Sequence, residues 1–165
     1  MGRASTKENK NRYQLAREEL GLSREKASEV LEVIPPERIE KIENERSYPH
    51  PDEILAMADC YRNPALCNYY CSHECPIGKE YVPEVTVKDL SMITLEMLST
   101  INTLSKEKDR MIDIAADGKV SEDEITDFIR IKDYLENMSL TIESLKLWVE
   151  NTIASGEIDK KFLKK

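Results

Sequence analysis

The chain has 165 residues, 24 Lys+Arg against 32 Asp+Glu, and a formal net charge of −8. That sign excludes a protein that coats nucleic acid by bulk charge, while leaving room for a local basic face. Few glycines and prolines beside abundant Leu, Ile, Glu and Lys point to an all-α chain. With no apolar run near 18 residues and no apolar signal core after Met1, neither a membrane span nor a secretory leader is expected, and a cytoplasmic location follows.

Residues 1–11 are polar and aperiodic and predict a disordered arm. Tyr13, Leu15, Ala16 and Leu20 begin a helix that Gly21 ends. Ser23 is a good N-cap for a second helix, Arg24 to Leu31. Pro35-Pro36 restarts the chain, with Pro36 near the first position of a third helix that carries Ile39 and Ile42 on one face. Arg46 to Pro51 is a loop, and Asp52 is the expected cap of a fourth helix bearing Ile54, Leu55, Met57 and Ala58.

Short helix, tight turn and short helix with an apolar stripe is helix-turn-helix grammar. Leu15-Ala16-Arg17-Glu18-Glu19-Leu20-Gly21-Leu22-Ser23-Arg24-Glu25-Lys26-Ala27-Ser28 resembles the opening of the phage-repressor (Xre-type) helix-turn-helix. Arg38 to Arg46 is similar to that family's third helix and its exit, and Pro51 to Ala58 to its fourth. The resemblance covers residues 12–66. It implies a five-helix domain that lays its third helix in the major groove of DNA with the second across the backbone. By position, Arg24 matches the start of helix two, and Glu37, Arg38 and Lys41 match the outward face of helix three. Arg38 is then placed for a bidentate guanine contact and Lys41 for a phosphate, while Ile39 and Ile42 match the buried face. Two features depart from the family: Ile34-Pro35-Pro36 stands where small polar residues are usual, and Glu37 and Glu40 put carboxylates on the reading helix. Residues 1–60 hold 10 Lys+Arg and 13 Asp+Glu, so cations for counterion release are sparse.

All four cysteines, Cys60, Cys67, Cys71 and Cys75, fall within sixteen residues. Asn63-Pro64 is a helix-start signal, and Pro76 with Gly78 reads as a stop. Cys67 and Cys71 then share one face, Cys75 lies at the helix end, and Cys60 comes from the preceding helix. In a reducing compartment, converging thiolates suit zinc or an iron–sulfur cluster, with His73 a possible substitute ligand. Buried free thiols are the plainer alternative. The domain is thus expected over 12–75, followed by an extended linker over 76–84.

Residues 85–155 predict a long antiparallel helical hairpin, with helices near 88–116 and 121–154. Leu90, Met97, Ile101, Leu104, Met111 and Ala115 make one near-heptad stripe. Phe128, Ile131, Leu135, Met138, Ile142, Leu145 and Val149 make the other, stepping three and four. A break near Ser105 or Asn137 is the alternative. Ile125, Ile129, Leu147 and Trp148 widen the stripe beyond what two helices cover, so a homodimer is expected. The turn Asp113 to Glu124 resembles a calcium-binding EF-hand loop, but Ala115 lacks the oxygen needed at the third position. Gly118 as a helix stop and Ser121 with Glu124 as a capping box explain the same residues, so calcium is not expected. Residues 156–165 read as a tail. No nucleophile–base pair, phosphate loop or catalytic carboxylate set is visible, which argues against an enzyme. The leading expectation is a dimeric DNA-binding transcriptional regulator with a cysteine metal site. The alternative is a helix-turn-helix protein-interaction module that does not bind DNA.

Overall fold

The structure, a computed structural model, describes residues 9–159 and 161. Most of the expected N-terminal arm and part of the expected C-terminal tail lie outside the described residues. Within them the chain forms eight α-helices and no strand. It divides into two compact units, residues 1–84 with 150–165, and residues 85–149.

The first unit opens with α1 (Arg12–Glu19), whose N-cap Asn11 accepts from the Gln14 backbone N–H at 3.0 Å. The same Asn11 side chain donates to the Ile42 carbonyl at 2.8 Å, fixing the start of α1 against the third helix. Gly21 takes φ +66°, the left-handed turn that frees the chain for α2 (Arg24–Leu31). Ser23 caps α2, as its sequence position predicts. The third helix, α3 (Pro36–Glu43), begins at Pro36 with Pro35 as its N-cap. Its missing N–H costs nothing in a first turn, where that donor has no intrahelical partner.

The entry to α4 (Pro51–Cys60) differs from expectation. Its N-cap is His50, not Asp52, because Pro51 takes the first helical position and draws the start two residues upstream. The His50 backbone N–H donates to the Glu53 carboxylate at 2.7 Å, and Asp52 is left inside the first turn. Pro64 serves as N-cap of α5 (Ala65–His73), one residue later than expected. The supposed extended linker is helical over α6 (Pro76–Tyr81). Pro76 does follow the end of α5, but it starts the next helix, and Gly78, expected to stop a helix, lies inside α6, where its N–H donates to the Cys75 sulfur at 3.4 Å. Gly78 is required by close approach: a Cβ there would lie 2.0 Å from the Cys71 carbonyl oxygen.

These helices close over Tyr13, Ala16, Ala27, Leu31, Ile34, Ile39, Ile42, Ile54, Met57, Ala58, Tyr61 and Leu66. Burying an isoleucine side chain stabilises by roughly 1.5–3 kcal/mol before ordering costs. One charged cluster lies inside this core. Glu43, fully buried, accepts from Arg17 Nε at 2.6 Å, Arg17 Nη2 at 2.9 Å and Arg24 Nε at 2.8 Å. Arg17 also donates to the Leu22 carbonyl, so a single carboxylate binds α1, the first turn of α2 and the end of α3. Burial opposes the charge on Arg17, but the bonds to Glu43 outweigh it and the guanidinium pKa is raised.

The second unit is built on α7 (Leu90–Ala115) and α8 (Ile125–Ala154), whose last residues, from Glu150, belong to the first unit. Both helices run unbroken past Ser105 and Asn137. Arg110 pairs with Asp127 at 2.6 Å and Arg130 with Glu107 at 3.0 Å. The partners step in opposite directions along the two helices, so the pair is antiparallel. Helix α8 begins four residues after its expected start. Ser121 and Glu124 do bond each other, through backbone N–H and hydroxyl, but they close a turn that precedes the helix.

The apolar stripes are rotated from their expected faces. Along α8, Ile131 is buried, but Phe128, Leu135 and Ile142 are exposed, while Thr141 and Ser144 are buried. The hydroxyls of Thr141 and Ser144 bond to the Asn137 and Leu140 carbonyls of their own helix, which makes their burial tolerable. A straight helix drifts about 20° per heptad against a 3.5-residue repeat, so a single facing helix cannot cover the whole stripe.

Candidate nucleic-acid interface and the cysteine cluster

Helix α3 carries the predicted reading residues. Its buried side holds Ile39 and Ile42, as expected, at 0% and 2% exposure. This fixes the rotation of the helix and turns Glu37 and Lys41 outward to solvent. Packing of α2 against α3 sets the angle between them.

Arg38 lies at the edge of that outward face and is bound within the chain. Its Nε and Nη2 donate to Glu53 of α4, each at 2.7 Å, in a two-point fork. Nη1 donates to the Ser47 hydroxyl at 2.6 Å and Nη2 to the Tyr48 carbonyl at 2.9 Å. The bond to Arg38 holds the Glu53 carboxyl below the usual carboxylate range, against the opposing effect of desolvation. Arg38 therefore ties α3 to the following loop and to α4. Arg24, the residue predicted at the start of the second helix, is there, with its Nε on Glu43 and its side chain 29% exposed. Lys41 is exposed, and its ammonium makes no hydrogen bond or ion pair among the described residues.

The cysteines are distributed over three elements. Cys60 ends α4, Cys67 and Cys71 lie one turn apart on α5, and Cys75 caps α6. All four are free thiols of intermediate burial. Among the described residues no group of three or more His, Cys, Asp or Glu side chains is arranged to hold a metal ion. Burial raises the pKa of Cys60, Cys67 and Cys71, with neighbouring acidic groups adding to it. His73 is engaged elsewhere: its ring stacks on Tyr69 at 4.6 Å and its Nε2 lies 3.6 Å from Glu84. In the turn that resembles a calcium loop, Asp117 accepts from the Lys119 N–H and Glu124 from Ser121.

The Arg17–Glu43–Arg24 cluster went unread in the sequence. Its signal was present: Gln14 and Arg17 fall on the same face of α1 as Tyr13 and Ala16, and Glu43 follows Ile42 on the inward side of α3. Polar residues at core-facing positions are informative because they must be paired.

No described helix is long and apolar enough to cross a membrane. No curated protein matches the chain, and no solved structure does. A helix-turn-helix family model matches residues 14–65, about a third of the length, from the third residue of α1 to the first residue of α5. Residues 14–65 are thus a helix-turn-helix segment of the repressor type.

Proposed function

We propose that this chain is a DNA-binding transcriptional regulator that reads duplex DNA with α3. The observation that carries the reading is the rotation of α3 within the matched segment: Ile39 and Ile42 are locked in the core, and Glu37 and Lys41 are presented outward. Lys41 supplies a phosphate contact. Arg38, gripped by Glu53, keeps the helix and its exit loop in one orientation, and a guanine contact would require it to exchange that partner. The hairpin of α7 and α8 dimerises the chain, since Phe128, Leu135 and Ile142 are left exposed along one helix. A dimer presents two reading helices to a two-fold operator.

Selection from random duplexes at moderate salt, followed by sequencing, tests the reading. An enriched motif with two-fold symmetry is the expected result, and a pool without enrichment rejects it.

A second reading is favoured by one specific observation. Both arginines that the resemblance assigns to DNA are ion-paired within the chain, to Glu43 and Glu53, and Glu37 lies exposed on the same face as Lys41. In that reading α3 docks a protein. It predicts no motif in the duplex selection and loss of a protein partner on Lys41→Glu.

A further inference from the structure

The first turn of α3 is poor in hydrogen-bond donors. Pro36, at the first helical position, has no N–H. The Arg38 and Ile39 N–H groups both donate to the Pro35 carbonyl, at 2.9 and 3.1 Å. All three nitrogens of the Arg38 guanidinium donate within the chain, to Glu53, Ser47 and the Tyr48 carbonyl. The Glu40 carboxylate, half-buried, accepts from the Asn44 amide at 3.4 Å. Glu37 differs from all of these. Its side chain is exposed and makes no hydrogen bond or ion pair among the described residues. It does not pair even with Lys41, one turn further along the same face, although Glu placed four residues before Lys is the favourable order for such a pair.

An unpaired acceptor at the front of a reading helix selects what it meets. In the major groove the base-edge donors are the N4 amino group of cytosine and the N6 amino group of adenine. Guanine presents N7 and O6, and thymine presents O4, all of them acceptors that repel a carboxylate. Adenine carries N7 beside its amino group, so a carboxylate that gains one bond there also faces a lone pair. Cytosine has no acceptor on its groove edge. A carboxylate therefore ranks cytosine first and adenine second. Its charge costs affinity beside the phosphates of any sequence, so what it adds is choice of base rather than strength of binding. Lys41, one turn on, offsets part of that cost at the phosphates.

We propose that Glu37 is the residue of α3 that selects sequence, accepting a hydrogen bond from the N4 amino group of a cytosine, while Arg38 stays on Glu53 and positions the helix. This rests on the reading of α3 as a DNA-binding helix, and it names the base that the helix prefers. Arg38 would have to give up four bonds to reach a guanine, whereas Glu37 gives up none.

The full chain is first used to select from random duplexes at moderate salt. A pool without enrichment overturns the DNA reading and this proposal with it. On an enriched duplex, each motif position is then varied through the four base pairs, and Kd is measured by fluorescence anisotropy for the wild type, Glu37→Gln and Glu37→Ala. At one position in each half-site the wild type should favour C·G over A·T, read on the same strand, by about fivefold or more, the low end of what a good base contact gives. Glu37→Gln should reverse that ratio at the same position, because a carboxamide donates to adenine N7 and accepts from N6. Glu37→Ala should bind the two duplexes alike. The readout is the ratio and not the absolute affinity, since removing a carboxylate strengthens binding to every duplex. Both variants alter an exposed side chain, and their unfolding temperatures should match the wild type. An enriched motif with no cytosine-preferring position, or one whose cytosine-to-adenine ratio is unchanged in both variants, overturns the proposal and leaves the DNA reading standing.

Discussion

The Arg38 guanidinium meets the Glu53 carboxylate at two points, Nε to Oε1 and Nη2 to Oε2, both at 2.7 Å. Arg38 is the only arginine in α3, so the residue best suited by type to read guanine is also the one that joins α3 to α4. Its side chain is 20% exposed and that of Glu53 is 14% exposed. This places the pair between a surface bridge and a buried one, with a net contribution of about 1 kcal/mol.

Removing the pair should therefore be visible and pH-dependent. The folded pKa of Glu53 lies below its ordinary 4.5, first because of the bond from Arg38. The unfolded chain binds the proton more readily than the folded chain does. The stabilisation is thus complete above the unfolded carboxyl range and is lost as pH falls through the folded value. Glu53→Gln should lower unfolding free energy by about 1 kcal/mol at pH 7, and the difference should shrink towards pH 3. Urea titrations at both pH values measure it, and a pH-independent difference would mean that the carboxylate acts through packing alone.

Lys41 tests the nucleic-acid reading more cleanly, since its side chain is exposed. Lys41→Ala should leave stability within about 0.5 kcal/mol. On a selected duplex it should weaken all sequences alike and reduce the slope of log K against log salt by about one. An unchanged slope would place Lys41 away from phosphate.

The buried carboxylate of Glu43 holds two cations, and its loss leaves Arg17 charged in the core. Glu43→Gln should cost about 3–5 kcal/mol, the range for breaking a buried pair from one side. Arg24→Ala should cost far less, because its side chain is 29% exposed and water replaces part of what is lost. Chemical denaturation of the two variants ranks them, and equal losses would show that Arg24 carries as much of the cluster as Glu43.

Gly78 sets the packing of α6 on α5. A methyl group at 2.0 Å from the Cys71 carbonyl oxygen cannot be accommodated without moving backbone. Gly78→Ala should destabilise by about 1–3 kcal/mol, the usual cost of overpacking. Hydrogen exchange should accelerate at Lys79 and Val82, whose amides donate to the Cys75 and Gly78 carbonyls. Lys79→Ala is the matched control, and similar exchange in both variants would show that the helix tolerates the methyl.

Local signals were legible where one residue decides the outcome. Ser23 capping α2 and Pro36 opening α3 need only a side-chain oxygen or a fixed φ, and both stand where their types predict. Pro76 and Gly78 were misleading because each has two uses. A proline that stops one helix is well suited to start another, and a glycine read as a breaker here marks contact between helices. The cysteine spacing showed that Cys67 and Cys71 share a helix, but it carries no information on how α4, α5 and α6 orient Cys60 and Cys75. The ion pairs of Arg38 and Arg24 were hidden for the same reason, since Glu53 and Glu43 lie 15 and 19 residues away and meet them only through tertiary packing. In the hairpin, periodicity located both helices, but the face each buries depends on how many neighbours surround it.

That last dependence makes the hairpin the place where assembly can be tested. Leu135 and Ile142, two steps of the α8 stripe, are 45% and 43% exposed, so neither is needed to hold α7 and α8 together. Charging them should cost the single chain little, whereas in a dimer that buries the stripe each new carboxylate would be desolvated without a partner. The chain should therefore scatter light at twice its 19.0 kDa mass, measured at about 50 μM, a concentration that populates a dimer of micromolar Kd. Leu135→Glu combined with Ile142→Glu should return it to the single mass with helical circular dichroism retained. Loss of dimer should also weaken binding to a two-site duplex far more than to a single half-site, because the second reading helix is no longer tethered to the first. A wild-type chain that scatters as 19.0 kDa at this concentration, or a double variant that stays dimeric, would remove the hairpin as the dimerisation element.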